Sequence, residues 1–262
     1  MIILFFSLLG LILGSFINVL VDRSHAKKDW LHGRSVCDHC GRTLQVIDLI
    51  PVLSWLMLGG RCRTCKGRLS SQYPLVELSS GFLFALSYSF WSYQLANSYE
   101  QAYFGLWLVA LVLLIAMAVY DLKWMLLPDR FNYPLLLISV LSVAVLTQIG
   151  GVDALKDQTA GLLVAWGLFA SLYYLSRGRW LGGGDVKLAA SLGLWLGFPK
   201  VLAGLLVAFY SATLVVLPLM VLGVVKRKQP VPFGPFLILG MIAGQVYGQA
   251  LIDWYLGWFI LP

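Results

Sequence analysis

AYFGLWLVALVLLIAMAVYDLK, residues 102–123, decides the fold: from Ala102 to Tyr120 there is no charge, and then Asp121 and Lys123 arrive within three residues. A helix needs about 20 mostly apolar residues to cross the hydrocarbon core of a bilayer. Working outward, uncharged apolar stretches of similar kind run over 2–21, 78–95, 131–150, 158–176, 201–225 and 231–252. A shorter one, 188–199, is bounded by Lys187 and Lys200 and can cross only as a shielded or distorted helix. Hydrophobic residues make up 60% of the chain and charged ones 12%, against about 25% charged in a soluble domain. The mean hydropathy is +0.82. The expectation is an all-α polytopic membrane protein with about eight transmembrane helices. Residues 2–21 lack Lys, Arg and a small-residue cleavage pattern, so they read as a retained first span.

Basic loops stay on the cytoplasmic side of a membrane. Nine of the basic residues fall in 22–73, two in 121–133, three in 177–187 and three in 226–228, leaving only Lys156 and Lys200 opposite. Eight spans then put both termini outside, in the periplasm, and the short polar turns around residues 121–133, 177–187 and 226–235 inside. This asymmetry accounts for the net charge of +7, so no nucleic-acid partner is called for; the expected surroundings are the lipid bilayer. The organisation reads as a first span (1–21), a small cytoplasmic loop domain (22–73) and a multi-span core (74–262).

All four cysteines lie in that loop, as Cys37-Asp38-His39-Cys40 and Cys62-Arg63-Thr64-Cys65. Two C-x2-C knuckles present four thiolates to one tetrahedral ion, and a site closed by four protein ligands is structural zinc rather than a reaction centre. Reduced thiols in the cytoplasm argue against disulfides. His39 could replace a thiolate, though it reads more simply as a surface histidine within the knuckle.

Acids at the ends of the spans carry the chemistry, because an ionisable group at membrane depth is expensive. Asp121 closes one span, and Asp185 follows Gly182-Gly183-Gly184. Two neighbouring carboxylates that share a proton can act as base on a water and as acid on a peptide carbonyl. The glycines permit close backbone approach. Gly182, Gly184, Lys187 and Asp129 read as shaping this site; Asp129, after Pro128, is a helix-start or loop-fixing residue, with substrate contact as the alternative. Glu77 is expected to pair with a basic loop residue, and Asp48 to be solvated or structural. His25, His32 and His39 all fall in the loop and no Gly-x-Ser-x-Gly accompanies them, so a serine nucleophile is not supported.

Gly14-Ser15-Phe16-Ile17-Asn18-Val19, the paired knuckles, Ile50-Pro51-Val52-Leu53-Ser54-Trp55 and Tyr73-Pro74-Leu75-Val76-Glu77-Leu78 together resemble the bacterial type IV prepilin peptidases, GxGD-type membrane aspartic proteases. The resemblance continues through Asp121 with Leu127-Pro128-Asp129, Gly182-Gly183-Gly184-Asp185-Val186-Lys187-Leu188, and Pro232-Phe233-Gly234-Pro235. It implies catalytic aspartates at Asp121 and Asp185 and a bacterial inner-membrane location. It also implies prepilin or pseudopilin precursors as substrates, whether of a type IV pilus, a type II secretion pseudopilus or a DNA-uptake pilus, and methylation of the new N-terminal amine by S-adenosylmethionine. The alternatives are a peptidase without methyl transfer and a non-enzymatic, zinc-stapled transporter component.

Overall fold

A computed structural model of the chain describes residues 1–30, 32–226 and 229–257; Arg227 and Lys228, two of the basic residues behind the expected orientation, lie outside them. Among the described residues the regular structure is helical, and only two isolated β-bridges occur. The chain divides into two units, Met1–Phe90 and Trp91–Pro262.

In the first unit, helices α1 (Ile2–His25) and α3 (Gln72–Ser89) pack against each other, and between them in sequence lie a 3₁₀ turn (Val46–Leu49) and the short α2 (Leu53–Met57). Hydrophobic attraction is weak between helices in lipid, so close backbone approach through small residues takes its place. A Cβ on Gly10 would stand 2.5 Å from the Ser80 carbonyl oxygen, and one on Gly14 2.7 Å from the Glu77 Cα. Nearer the loop, Asn18 Nδ2 donates to the Tyr73 carbonyl over 3.3 Å and its Oδ1 accepts from Gln72 Nε2 over 3.1 Å.

The second unit holds α4 (Ser98–Trp124), α5 (Asp129–Ser176), α6 (Gly183–Leu196), α7 (Lys200–Val221) and α8 (Gly234–Gly257). At 48 residues, α5 would span about 72 Å if straight, more than twice the ~30 Å hydrocarbon thickness. It breaks at Gly151 (φ 65°, ψ −154°) into two arms. The expected loop between residues 150 and 158 is therefore a single residue. Residues 152–157 are helical, and Lys156 Nζ bonds Asp153 Oδ1 one turn back over 2.8 Å.

Five helices, α1, α4, α5, α7 and α8, are long and apolar enough to cross a membrane. With the arms of α5 taken separately, and α3 and α6 added, the described residues supply the eight segments expected of this all-α polytopic membrane protein. The short segment is the shielded kind: α6 packs on α5 and α8, and Leu188, Leu192, Trp195 and Leu196 are buried. Trp195 sits between Tyr103 and Trp107 at ring distances of 5.6 and 5.4 Å. α6 begins at Gly183, five residues before the expected start at Leu188, which draws Asp185 and Lys187 into its first two turns.

Candidate active site and metal centre

Asp121 ends α4 almost completely buried, 4% exposed. Its Oδ2 accepts the Gly234 N–H over 3.0 Å, so the side chain of one helix caps the first residue of another, α8. A helix N-terminus carries unpaired N–H groups and partial positive charge, which suits a carboxylate. Asp185 does the same for its own helix, its Oδ2 accepting the Gly182 N–H over 3.2 Å. Gly184, next to Asp185, and Gly234, which Asp121 caps, both lie against Leu127.

Leu127 fills the space that links these elements. A Cβ on Gly184 would meet the Leu127 Cβ at 2.7 Å, and a Cβ on Gly234 would meet Leu127 Cδ2 at 3.1 Å and Asp121 Oδ2 at 2.7 Å. Gly184 thus serves close approach by the chain's own Leu127-Pro128 turn. Asn132, 1% exposed, donates to the Leu127 carbonyl over 3.2 Å and holds that turn. Asp129 is the first residue of α5, and its Oδ1 binds Lys187 Nζ at 2.5 Å; the ammonium also meets the Tyr133 hydroxyl at 3.3 Å. Gly234, Leu127 and Tyr133 were not singled out from the sequence as site residues, although Gly234 and Leu127 belong to Pro-containing turns that were. A backbone N–H donor has no side-chain signature.

In the other unit, one ligand atom from each of Cys37, Cys40, Cys62 and Cys65 falls within 4.8 Å of the others. Cys37 Sγ and Cys65 Sγ are 3.9 Å apart. Tetrahedral zinc with Zn–S of about 2.3 Å needs sulfurs about 3.8 Å apart, so the donor set fits the ion. The two knuckles repeat one construction. Cys37 N–H donates to Arg42 O (2.9 Å) and Leu44 N–H to Ser35 O (2.8 Å); Cys62 N–H donates to Gly67 O (2.8 Å) and Leu69 N–H to Gly60 O (2.8 Å). His39 is not among the clustered ligands: its ring lies over Gly67, and Nε2 is 3.0 Å from the Arg68 carbonyl oxygen.

Asp48 ties the knuckles together, with Arg63 Nε at 2.9 Å on Oδ1 and Arg42 on Oδ2. Burial pushes its carboxyl up, but the Arg63 bond, the Gln45 N–H and the two guanidinium charges outweigh that and hold it below the ordinary carboxylate range. Among the described residues Glu77 does not find the expected basic partner; its Oε2 accepts the Val52 N–H over 2.7 Å. Val52 sits at φ 63°, ψ −51°, and the Leu53 N–H reaches back to Pro51 O over 2.6 Å. This is the strained, positive-φ form of γ-turn. In a β-branched residue such a conformation stores roughly 1–3 kcal/mol and collects at ligand sites.

Among the membrane helices, then, two helix-end aspartates each cap a helix start beside the Leu127 turn. Residues 8–91 match the Bacterial Peptidase A24 N-terminal domain, and residues 108–221 match the Type IV leader peptidase family. The chain is 32% identical to the prepilin leader peptidase/N-methyltransferase of Aeromonas hydrophila, over 98% of this chain and 96% of that one. It is 34% identical to the enzyme of the same name from Dickeya chrysanthemi, over 91% and 90%. To the type 4 prepilin-like proteins leader peptide-processing enzyme of Escherichia coli O78:H11 it is 35% identical, over 92% of each. No solved structure is matched. The chain belongs to the type IV leader peptidase family.

Proposed function

We propose that this protein is a membrane aspartic endopeptidase that removes the basic leader of type IV prepilins or pseudopilins and then methylates the new N-terminal amine. What supports the reading is that Asp121 and Asp185 each cap a helix start whose glycine, Gly234 or Gly184, packs on Leu127, in a chain a third identical to prepilin leader peptidase/N-methyltransferases over nearly its whole length. One carboxylate takes a proton from the attacking water, while its protonated partner hydrogen-bonds to the scissile carbonyl and later protonates the leaving amine. Gly182, Gly184, Lys187 and Asp129 hold the Asp185 turn against the Leu127-Pro128 turn.

The site lies on the cytoplasmic side of a bacterial inner membrane, with both termini periplasmic, as the one-sided placement of Lys and Arg supports. Residues 22–73 form a cytoplasmic domain stapled by structural zinc on Cys37, Cys40, Cys62 and Cys65, and contribute to methyl transfer; residues 74–262 are the peptidase core. S-adenosylmethionine supplies an electrophilic methyl group, and the protein's part is to hold the amine in line with it. Co-expression with a prepilin, reading the N-terminal mass of the product, tests both halves. Loss of the leader with one added methyl is expected. An intact leader overturns the peptidase reading, and a cleaved but unmethylated product leaves a peptidase alone.

A further inference from the structure

Within Met1–Phe90 lies a cavity of about 530 Å³, walled by the end of α1, the loop with its knuckles, α2 and the start of α3. Its size falls in the range of small-molecule sites. The motif Ile50-Pro51-Val52-Leu53-Ser54-Trp55, which the peptidase chemistry leaves unused, contributes Ser54 and Trp55 to the wall. Trp55 is wedged against Gly60, where a Cβ would meet its ring at 2.8 Å, and its Nε1 is buried with no acceptor among the described residues. A buried donor without a partner is costly and points to something that comes and goes. The strained γ-turn at Val52 directly precedes this helix, and Glu77, which holds it, also lines the cavity.

The lining narrows the ligand class. Arg23 is spent on the carbonyl oxygens of Asp29, His32, Gly33 and Arg34, and Arg42 and Arg63 are spent on Asp48. Little is left of these guanidiniums for a phosphate. What the wall offers besides is the indole of Trp55, the phenol of Tyr73, the carboxylates of Asp22 and Glu77, and the cationic side chains of Lys28 and Arg34. Aromatic faces take a flat heterocycle or a cation, carboxylates take a ribose diol or a fixed positive charge, and cations take a carboxylate. A nucleoside bearing a sulfonium and an amino-acid carboxylate has all of these features.

We infer that this cavity is the S-adenosylmethionine site, with Trp55 as a hydrogen-bonding contact and the zinc knuckles, through buried Cys37 and Cys62, as one wall. The inference rests on the N-methyltransferase reading above and gives that reaction a place.

The test is equilibrium dialysis of the purified, zinc-loaded full chain in detergent against labelled S-adenosylmethionine, followed by ultraviolet crosslinking and peptide mapping. Trp55→Phe keeps an aromatic ring and removes the N–H together with the pyrrole half of the indole. It should weaken binding about tenfold, the equivalent of one hydrogen bond to a buried donor, while zinc content and the loop's resistance to limited proteolysis stay at the parent level and so report an intact loop. The crosslink should map within residues 15–77. Unchanged affinity in Trp55→Phe, or a crosslink within residues 91–257 of a chain that methylates pilin, overturns the site and spares the methyltransferase reading. A parent chain that neither binds the donor nor methylates a cleaved pilin removes that reading and the site with it.

Discussion

The loop within Met1–Phe90 and the helices of Trp91–Pro262 are held together by different means. In Met1–Phe90 the loop is fastened by polar ties: four clustered thiols, one carboxylate shared by two arginines, and a guanidinium bound to four carbonyl oxygens. In Trp91–Pro262 the ties are absent glycine side chains. A Cβ on Gly161 would lie 2.5 Å from the Gly193 carbonyl oxygen, and one on Gly240 2.2 Å from that of Gly204. A water-facing loop too small for a hydrophobic core relies on a metal and ion pairs, whereas helices in lipid rely on backbone contact. The difference implies separable functions, which substitutions confined to one unit test.

The largest effect belongs to the aspartates. Asp121→Asn or Asp185→Asn should lower prepilin cleavage by about 100- to 10,000-fold, the usual worth of a positioned acid or base, with normal accumulation in the membrane by immunoblot. The same Asp185→Asn protein, given a pre-cleaved pilin with a free N-terminal phenylalanine, should still transfer label from the methyl donor. Appreciable cleavage by either variant breaks the dyad assignment; complete loss of methyl transfer breaks the separation of the units.

Metal content sharpens the other half. About one zinc per chain is expected by elemental analysis, since four thiolates close one tetrahedral site. Cys37→Ser or Cys62→Ser should make the loop susceptible to limited proteolysis, because the metal supplies folding energy there. Leader removal should fall less than it does in the aspartate variants. Active protein free of zinc would discard the metal centre.

A smaller effect is expected at Gly184. Its missing side chain is where Leu127 comes to rest, so Gly184→Ala forces the turn after Gly182 away from the Leu127-Pro128 turn. Overpacking of this kind costs about 1–3 kcal/mol. Cleavage should drop while zinc content and donor binding, which belong to the other unit, stay unchanged. Gly105→Ala is the control, because nothing lies within 4 Å of a Cβ there.

The spans were legible because hydrocarbon thickness imposes a length on each, and charge marks most of their ends. The four thiols were legible because their spacing is a coordination requirement. Other features had no such imprint. The start of α6 is set by the Asp185 side chain bonding back to Gly182 N–H, so a hydropathy boundary at Lys187 falls five residues late. Residues 152–157 look like a polar loop, yet the helix resumes directly after Gly151. Glu77 has a basic loop nearby in sequence but meets a backbone N–H made available by a γ-turn, a conformation that composition does not announce. The bond from Gly234 to Asp121 joins residues 113 apart in the chain, and only the packed helices bring them together.

The smallest expected effect comes from setting one ion pair of each unit against the other. The Asp48 side chain is only 4% exposed and serves two arginines, whereas the Lys187–Asp129 pair is 35% and 56% exposed. Exposed pairs are screened by water and salt and contribute little; removing one partner of a buried pair strands the other. Asp48→Asn should therefore loosen the loop at neutral pH, seen as faster proteolysis between residues 34 and 69. Because the folded Asp48 carboxyl titrates below its ordinary value, its contribution is fully present above the unfolded pKa and is lost as pH falls through the lower folded one. The loop of the parent chain should show an acid-dependent loosening below about pH 4 that Asp48→Asn lacks. Lys187→Met, by contrast, should leave the stability of its unit nearly unchanged by thermal melting and lower cleavage only slightly, through a less well-held Asp185 turn. A Lys187 effect as large as that of Gly184→Ala would mean that the ammonium touches the substrate.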